Sequence, residues 1–371
     1  MQWQGWIRAV RKSKYRTFID VSNGHASHQV VTDDKGPFHV GSAVQCHGTW
    51  TTHNKQTEFV ADAIRIVGPS HSLHYPLQNK DHNATFLRGF PQFTTRRPYV
   101  ANIMKTKSRM ILEIHKYLQE QLDFLHVHTP ILTNNDCEEG GDAFEIKSSL
   151  FKKQAYLTVS SQLHLECMAF QRAYTISPCF RAERTLSSRH LAEFHMLECE
   201  VQFLDRLDDL INLAIDLLNH ILVALSLKPL TFTTLTYDEA YKLLQSLHDY
   251  ENPLEYGDFT SDQEQSLLVH LNTAAIVTHF PKAHKPFYMK AHDGYAECFD
   301  LLVPGAGEVV GGSLRSLDHM PIDWYNDIRQ HGATPHGGFG MGIERLLMYT
   351  LGLDSIRDTM PFPRYYKHMR C

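Results

Sequence analysis

The sequence predicts an α+β protein with two domains: a small N-terminal β-barrel, and a larger domain built on an antiparallel sheet flanked by helices. The chain has 371 residues, more than one hydrophobic core usually supports. Apolar residues alternate with polar ones over residues 2–67, as in β-strands. From residue 101 they recur every three or four positions, as in helices. Strands and helices then follow one another with hairpin-length loops, which favours an antiparallel sheet.

The N-terminal region combines about five short predicted strands with a basic face that carries aromatic side chains. Residues 1–70 contain eight Lys or Arg and five Asp or Glu, although the whole chain has a net charge of −5. This pattern is typical of an OB-fold barrel that binds single-stranded nucleic acid. A barrel with another partner is about equally compatible with the composition. We predict an OB-fold over residues 1–70, a linker rich in Pro and His over 71–98, and a second domain over 99–371.

Composition excludes several classes of protein. Apolar residues make up 43% of the chain and charged residues 21%, but no apolar run approaches the roughly 20 residues of a membrane-spanning helix. The first residues lack the apolar segment of a secretory signal. Seven scattered cysteines without a CxxC pair indicate reduced thiols. We therefore expect a protein without membrane association in the cytoplasm, with the mitochondrial matrix as the alternative.

The segment FRAERTLSSRHLAEFHMLECEVQF, residues 180–203, carries the first chemical pattern. Two long strands, residues 173–183 and 193–203, are predicted to flank its polar loop. Alternation places Arg181, Glu183 and two further acids, Glu198 and Glu200, on sheet faces where burial of charge is costly. Arginine binds phosphate oxygens and phenylalanine offers a stacking surface, so the pattern fits a phosphorylated ligand with a flat ring. Surface ion pairs on an ordinary hairpin are the commoner alternative.

The second pattern, HGGFGMGIERLL at residues 336–347, has four glycines in six positions. Such a strand end lets a ligand approach the backbone closely. A helix follows with Arg345 in its first turn, where the helix dipole disfavours a cation. A bound phosphate would account for this arginine.

The third pattern is a pair of acids, Asp300 and Glu308, on either side of the turn Pro304-Gly305. We expect the two carboxylates to face each other across a hairpin. Oxygen ligands of this kind bind Mg²⁺ on a triphosphate. Two unrelated surface acids are the alternative.

Taken in order, these segments resemble the class II aminoacyl-tRNA synthetases. FRAE with RHLAEF and LECE is similar to motif 2 of that class, GGFGMGIERLL to motif 3, and FLHVHTPILT to the motif 1 strand. YLTVSSQLHLECMAF, KPFYMK, FDLLVPGAGEVVGGSLR and IRDTMPFPR resemble the asparaginyl-tRNA synthetases in particular, in their bacterial and organellar branch. The resemblance covers essentially the whole chain.

The resemblance implies a two-step reaction. Asparagine and ATP would form asparaginyl-adenylate and pyrophosphate, and the asparaginyl group would then pass to the terminal 3′-hydroxyl of tRNA(Asn). It also implies a class II catalytic domain, Mg²⁺ beside the ATP, an N-terminal anticodon-binding barrel and a homodimer formed through motif 1.

Motif positions imply roles for individual residues. The implied catalytic residues are Arg181, Arg345 and Glu308. The implied ATP-binding residues are Arg181, Glu183, Arg189, His190, Leu191, Phe194, Glu308, Gly342, Ile343, Glu344 and Arg345. The implied amino-acid ligands are Glu138 or Glu139, Gln162, Arg181 and Arg315; the metal ligands are Asp300 and Glu308; the anticodon pair is Phe18 and Gln29.

The chain departs from the family pattern beside the predicted substrate pocket. In DCEEGGDAF, residues 136–144, counting back from Phe144 selects Glu138, whereas the local Glu-Gly-Gly pattern selects Glu139. Serines replace a usual glycine at 161 and a usual glutamate at 316, and the segments near 225–236 and 316–324 are short. An aspartyl or relaxed Asp/Asn enzyme, and a paralogue that charges no tRNA, are therefore the alternatives.

Selectivity for asparagine needs more than Arg315. Amide and carboxylate both present an oxygen acceptor, so an arginine alone distinguishes them poorly. We expect a second polar contact or a repulsive acid nearby.

Overall fold

The computed structural model describes residues 1–53, 56–71, 73–78, 80, 82–135, 143–168, 170–247, 256–320 and 322–371. They form two compact units. Unit 1 comprises Met1–Lys105 with Met360–Pro363 and His368–Cys371, and unit 2 comprises Thr106–Thr359 with Arg364–Lys367. In the described part of the chain, no helix has the length and apolar character needed to cross a membrane.

Unit 1 contains a closed five-stranded barrel. Its strands are β1 Gln2–Lys12, β2 Thr17–Ser22, β3 Ser27–Thr32, β4 Ala43–His53 and β5 Gln56–Gly68. They pair in the order β1-β2-β3-β5-β4, with β4 closing onto β1, and only the β3–β5 pair is parallel. Alternating side chains such as Ile7, Ile19, Val30 and Phe59 are fully buried inside. The predicted OB-type barrel is confirmed.

The segment predicted as an irregular linker contains two short helices, α1 Ala84–Arg88 and α2 Pro91–Thr94. The Asn83 side chain caps α1 by accepting a hydrogen bond from the Phe86 amide, and Pro91 begins α2. Each helix spans about one turn, too short to produce a visible period in the sequence. The assignment of residues 71–98 as a linker stays a prediction.

Unit 2 holds the remaining elements, and α3, Pro98–Lys116, enters it from unit 1. Its strands are β6 Leu125–His126, β7 Leu132–Thr133, β8 Glu145–Ile146, β9 Ala155–Leu157, β10 Arg172–Phe180, β11 Glu193–Gln202, β12 Phe232–Thr236, β13 Ala274–Thr278, β14 Ala291–His292, β15 Tyr295–Ala296, β16 Cys298–Val303, β17 Gly307–Leu314 and β18 His336–Gly342. Its helices are α4 Gln162–Glu166, α5 Leu207–Ala224, α6 Tyr237–Leu247, α7 Ser261–Leu271, α8 Asp323–Gln330 and α9 Ile343–Leu351. Short 3₁₀ turns cover Lys282–His284 and Ile356–Asp358, and a π-helical turn, Tyr117–Gln121, follows α3.

An eight-stranded sheet forms the centre of unit 2, in the order β12-β13-β16-β17-β18-β11-β10-β6. The pairs from β13 to β10 are antiparallel, and the two edge pairs, β12–β13 and β10–β6, are parallel. The predicted α+β class is confirmed. The sheet itself is mixed, because its edge strands connect through helices rather than hairpins.

Helix α5 covers the sheet at β17 and β18. Its apolar stripe, including Leu210, Ala214 and Leu217, is fully buried, as expected for an amphipathic helix on a sheet.

The hairpin β10–β11 is shorter than predicted. Strand β10 ends at Phe180, so Arg181 and Glu183 lie in the connecting loop and not on a sheet face. Glu198 and Glu200 lie on β11, where both are buried. In the sequence, the alternation of apolar and polar residues continues beyond Phe180. In the described structure, one backbone hydrogen bond beyond Phe180, from the Arg181 amide to the Ala192 carbonyl oxygen, continues the pairing of β10 with β11.

Candidate active site

Two adjoining cavities lie over strands β11, β17 and β18. Cavity A is lined by every predicted ATP-binding residue except Ile343, together with side chains such as Met196 and Ile356. Cavity B is lined by the predicted amino-acid ligands Gln162 and Arg315 and by acids that include Glu200 and Asp300. Arg181, Met196, Glu308 and Gly340 line both cavities. The cavities therefore meet at one arginine and one carboxylate.

Glycines keep the floor of the cavities open. Gly311 on β17 pairs with Gly340 on β18. A Cβ atom at Gly311 would lie 2.7 Å from Glu308 Oε1 and 3.4 Å from Asp300 Oδ1. A Cβ atom at Gly340 would lie 2.7 Å from the Met196 methyl carbon. Any side chain at these positions would fill space that is otherwise available to a ligand.

Arg345 lies in the first turn of α9, as predicted. Its Nη1 donates to the Glu308 carbonyl oxygen at 2.6 Å and lies 3.5 Å from Glu308 Oε2. These contacts direct the Arg345 guanidinium into cavity A. It lies there although the dipole at the N-terminal end of α9 disfavours a positive charge.

The two residues before Arg345 are buried in the protein interior. The Ile343 side chain is fully buried and does not line cavity A among the described residues. Glu344 accepts hydrogen bonds from Lys107 Nζ at 2.6 Å and from the His195 amide at 2.8 Å. Despite the cost of burial, these bonds lower the pKa of Glu344. Glu344 lines cavity A, and these bonds also make its carboxylate an anchor for the start of α9.

Another part of the wall of cavity A combines an arginine with an aromatic ring. The Arg181 guanidinium carbon lies 5.5 Å from the centre of the Phe194 ring, a cation–π distance. His190 Nε2 lies 3.5 Å from Glu183 Oε2. Burial lowers the pKa of His190 although Glu183 opposes this, so the imidazole is neutral near pH 7. This wall offers a ring face beside positive charge.

Carboxylates cluster where the two cavities meet. In the β16–β17 register Asp300 pairs with Gly311, and Glu308 pairs with Leu302. The expectation that the two acids face each other was therefore wrong in register, because the turn at residues 304–306 places Glu308 opposite Leu302, two residues nearer the turn than Asp300. Both carboxylates nevertheless border the space above Gly311, so they still share one region of the site.

A lysine and two further acids complete this cluster. Lys285 Nζ lies 3.2 Å from Asp300 Oδ2 and 3.0 Å from Asp258 Oδ1. Burial raises the pKa of Asp300 to about 6, although Lys285 opposes the shift. Burial and the charge of Glu308 raise the pKa of Glu264 on α7 to about 7. The cluster thus holds excess negative charge that a cation would stabilise.

Behind cavity B, Arg315 belongs to a buried ion network. Its Nη2 lies 3.0 Å from Glu200 Oε2, and its Nε lies 3.6 Å from Glu166 Oε1. Burial alone would lower the pKa of Arg315, but the two carboxylates outweigh it and raise the pKa. The guanidinium is therefore held charged and in a fixed orientation at the cavity wall.

Glu166 in turn accepts bonds from several donors. Arg329 Nη2, Tyr325 Oη and His336 Nε2 lie 2.8, 2.6 and 3.1 Å from its Oε2. Burial opposes ionisation, but the bond from His336 and the arginine charges lower the pKa of Glu166 to about 2. Ligand atoms of Glu166, Glu200 and His336 lie within 4.8 Å of one another, as in a metal site. The guanidinium groups already neutralise these acids, so the arrangement fits an ion network rather than a metal ion.

Gln162, the predicted ligand for the substrate amino group, begins α4 at the rim of cavity B. Its Nε2 donates to Glu166 Oε1 at 3.1 Å. Before it, the Ser161 amide donates to Glu198 Oε2 at 2.9 Å, and the Ser160 hydroxyl also bonds Glu198. The hydroxyl of Ser161 shares a hydrogen bond of 2.6 Å with the hydroxyl of Ser177, which accommodates a serine at this position.

The remaining predicted site residues lie elsewhere. Glu138 and Glu139 fall outside the described residues, so the choice between them is open. Phe18 and Gln29 lie on β2 and β3 of the unit 1 barrel, where Gln29 pairs with Asp20. With its amide oriented to satisfy both neighbours, Gln29 donates to Glu58 and accepts from Arg11.

Several residues that shape the site were not predicted from the sequence. Lys285 belongs to the KPFYMK segment, which carried the resemblance, but no role was assigned to it. Asp258, Glu264 and Arg329 lie outside all the motif segments, and their placement depends on loops and helices that return to the sheet. A lysine and acids at these positions carry no local pattern that would have singled them out.

Comparisons with known proteins agree with this geometry. Residues 89–320 and 316–366 match the family of class II tRNA synthetases (D, K and N). This chain belongs to that family. It is 35% identical to the asparaginyl-tRNA synthetase of Mus musculus, across 98% of this chain and 89% of the mouse protein. The mitochondrial asparagine–tRNA ligase of Schizosaccharomyces pombe is also 35% identical, across 97% of this chain and 92% of the yeast protein.

A solved class II structure shows the same architecture. The asparaginyl-tRNA synthetase of Pyrococcus horikoshii in complex with asparaginyl-adenylate superposes with a TM-score of 0.90 at 27% identity, covering 100% of this chain and 95% of the archaeal one. The resemblance to the asparaginyl branch is therefore confirmed along the entire chain.

Proposed function

We propose that this synthetase is an asparagine–tRNA ligase, which activates asparagine with ATP and transfers it to tRNA(Asn). The observation that carries the proposal is that cavities A and B meet at Arg181 and Glu308. A nucleotide in one cavity and an amino acid in the other would place the α-phosphate and the carboxylate at this junction. The relatives named above, including one bound to asparaginyl-adenylate, support the same reaction.

In the first step an oxygen of the asparagine carboxylate attacks the α-phosphorus, and pyrophosphate leaves. In the second, the tRNA 3′-hydroxyl attacks the adenylate carbonyl, and AMP leaves. We assign Arg181 to the charge shared by carboxylate and α-phosphate, since it lines both cavities. Phe194 and Arg345 would enclose the adenine ring, with Arg345, Arg189 and His190 near the outer phosphates. The chain acts mainly by positioning and charge stabilisation.

The carboxylate cluster fits Mg²⁺, which we propose as the metal ion of the reaction. Glu308, Asp300 and Glu264 supply hard oxygen donors, and the missing Cβ at Gly311 leaves room beside two of them. Bound Mg²⁺ would neutralise phosphate charge. Glu308 is the stronger candidate ligand, because Asp300 already contacts Lys285.

Selectivity for asparagine is attributed to Arg315 together with Glu200. Arg315 would donate to the side-chain carbonyl oxygen, and Glu200, which lines the same cavity, would accept from the side-chain amide. The Glu200 carboxylate would repel aspartate. This arrangement favours an asparagine-specific ligase over a ligase that is specific for aspartate or accepts both amino acids. The presence of Arg181, Glu308 and Arg345 disfavours a paralogue that charges no tRNA.

Binding of tRNA is assigned to both units. We propose that residues 1–70 bind the anticodon through Phe18 and Gln29, that 71–98 form the linker, and that 99–371 form the catalytic domain. The outer face of the barrel carries Phe18 beside charged and amide groups, which suits stacking and hydrogen bonding to a base.

A homodimer and a reducing compartment are further parts of the proposal. Leu112 on α3 and Leu125 on β6 are 46% and 45% exposed, and both belong to the motif 1 region that pairs subunits in this class. Cys46, Cys167, Cys199 and Cys298 form no disulfide in the described part of the chain, which suits the cytoplasm or the mitochondrial matrix.

The test is asparagine-dependent ATP–pyrophosphate exchange, run in parallel with aspartate and followed by charging of tRNA(Asn). Asparagine is expected to support exchange and aspartate is not. Arg345→Met is expected to reduce kcat/KM by about 10²–10³-fold, as loss of one transition-state donor does. Arg206→Met, which removes a 67% exposed surface arginine, is the matched control. Absence of exchange with asparagine in the unaltered protein would refute the proposal.

A further inference from the structure

The loop between β10 and β11, residues 181–192, carries Arg189 and His190 into cavity A. Its internal bonds are local: the Ser187 amide donates to Thr185 Oγ1 at 3.2 Å, and the Arg189 amide to Ser187 Oγ at 3.1 Å. Leu186 is 64% exposed, so little apolar burial anchors the tip. Something outside the loop must fix the backbone just before Arg189.

The segment after α9 supplies these contacts. Arg357 Nη2 donates to the Leu186 carbonyl oxygen at 2.8 Å and to the Ser187 carbonyl oxygen at 2.9 Å. The adjacent Ile356 amide donates to the Ser188 carbonyl oxygen at 2.9 Å. Three consecutive carbonyl groups of the loop thus accept bonds from two consecutive residues.

Neighbouring groups hold the arginine itself in place. The Arg357 guanidinium carbon lies 4.0 Å from the centre of the Tyr365 ring, within cation–π range. One residue away, the Arg364 carbonyl oxygen accepts the Ala192 amide at 2.7 Å, which ties down the far end of the same loop. Ile356 and Arg357 therefore contact one limb of the loop, and Arg364 contacts the other.

We propose that Arg357 is a positioning residue for ATP binding. By holding carbonyls 186 and 187, it keeps Arg189 and His190 directed into cavity A before the nucleotide arrives. Arg357 itself is not among the residues described as lining either cavity, so it acts through the loop. The inference rests on the proposed function, since it assigns cavity A to ATP. Preorganised loops lower the entropy cost of ordering on binding.

The proposal predicts a split between the two substrates. Arg357→Met is expected to raise KM for ATP in pyrophosphate exchange by about tenfold, the effect of losing charge-assisted hydrogen bonds. KM for asparagine is expected to stay within about twofold. Arg357→Lys still offers an ammonium donor to the carbonyls. Its KM for ATP is expected to lie between that of the unaltered protein and that of Arg357→Met. Hydrogen exchange of the peptide covering residues 185–192 is expected to increase in Arg357→Met before any ligand is added.

Arg172→Met is the matched control. Arg172 also donates to a backbone carbonyl, that of Leu122 at 3.0 Å, and also lies over an aromatic ring, Phe124, but it sits at the opposite end of β10 from the loop. It is expected to change neither KM for ATP nor exchange of the 185–192 peptide.

The inference is overturned if folded Arg357→Met shows unchanged hydrogen exchange of the 185–192 peptide and an unchanged KM for ATP. An equal rise in KM for ATP and KM for asparagine overturns it as well. If Arg357→Met does not fold, the same two measurements on Arg357→Lys decide in the same way. Failure of the proposed function would appear separately, as lack of asparagine-dependent exchange in the unaltered protein, and the hydrogen-exchange result would still decide the role of Arg357.

Discussion

Arg315 Nη2 lies 3.0 Å from Glu200 Oε2, and both side chains are at most 3% exposed. A buried pair of this kind fixes the orientation of each partner, because either charge left alone would be strongly destabilised. At the wall of cavity B it presents a donor and an acceptor side by side, as the two ends of an amide require. Under the proposed function, the second polar contact expected from the sequence would be the Glu200 carboxylate, which is already bonded to Arg315.

Glu200→Gln tests this pair. We expect kcat/KM for asparagine to fall roughly 10–100-fold, since a charge-assisted hydrogen bond becomes a neutral one. Discrimination against aspartate is expected to weaken, because the repulsive charge is gone. Pyrophosphate exchange with each amino acid measures both effects. Glu297→Gln, which removes a carboxylate paired with Lys290 at 2.8 Å away from the cavities, is the control. Unaltered discrimination in Glu200→Gln would assign selectivity elsewhere.

We expect Glu308 and Asp300 to contribute unequally to the affinity for a divalent metal ion. Glu308→Gln is expected to weaken Mn²⁺ binding at least about tenfold, as loss of a metal ligand does. Asp300→Asn is expected to weaken it less, because Lys285 already contacts that carboxylate. Titration of the protein with Mn²⁺, followed by electron paramagnetic resonance, measures the affinities. Lys285→Met, which removes the competing ammonium, is expected to tighten binding. A larger effect for Asp300→Asn than for Glu308→Gln would contradict this order.

Stability should depend on the charge of His336. Burial opposes protonation, but the bond to Glu166 and neighbouring carboxylates raise the pKa of His336 above its usual 6.5. Stabilisation from the charged pair is therefore complete below pH 6.5 and is lost as pH rises through the raised native value. His336→Gln is expected to lower the free energy of unfolding by about 3 kcal/mol at pH 6, and by less at pH 9.

Urea unfolding at pH 6, 7.5 and 9 measures this difference. His292→Gln is the matched control, because His292 lies 3.2 Å from Asp293 but is 79% exposed; its effect is expected to stay below about 0.5 kcal/mol. A His336→Gln deficit that is constant with pH would show that the histidine is neutral in the native protein.

Phe18→Ala should separate tRNA recognition from activation. Loss of one stacking surface is expected to raise KM for tRNA(Asn) by roughly 5–150-fold, from 1–3 kcal/mol per stacked base. Asparagine-dependent pyrophosphate exchange needs no tRNA and serves as the internal control. A parallel fall in exchange would mean that the substitution damages the fold instead of an anticodon contact.

Much of the fold was predictable because its patterns are local. Alternation in the first 67 residues predicted the barrel, and the apolar stripe including Leu210 and Leu217 predicted α5. Element ends were less predictable. At the start of α5, Arg206 occupies the cap position without a side-chain hydrogen bond, so no capping side chain marks where this helix begins. Likewise, Arg181 continues the alternation of β10 but lies beyond its end.

By itself the sequence determined the barrel, the α+β class, the order of the motifs and the family, because short-range periodicity and motif wording are carried by neighbouring residues. Only the tertiary structure decided which charges meet. Arg315 and Glu200 are separated by 115 positions, and Lys285 reaches Asp258 and Asp300 from a segment with no assigned role. Such pairs form because the folded sheet brings distant segments together in a dry interior, where each charge needs a partner.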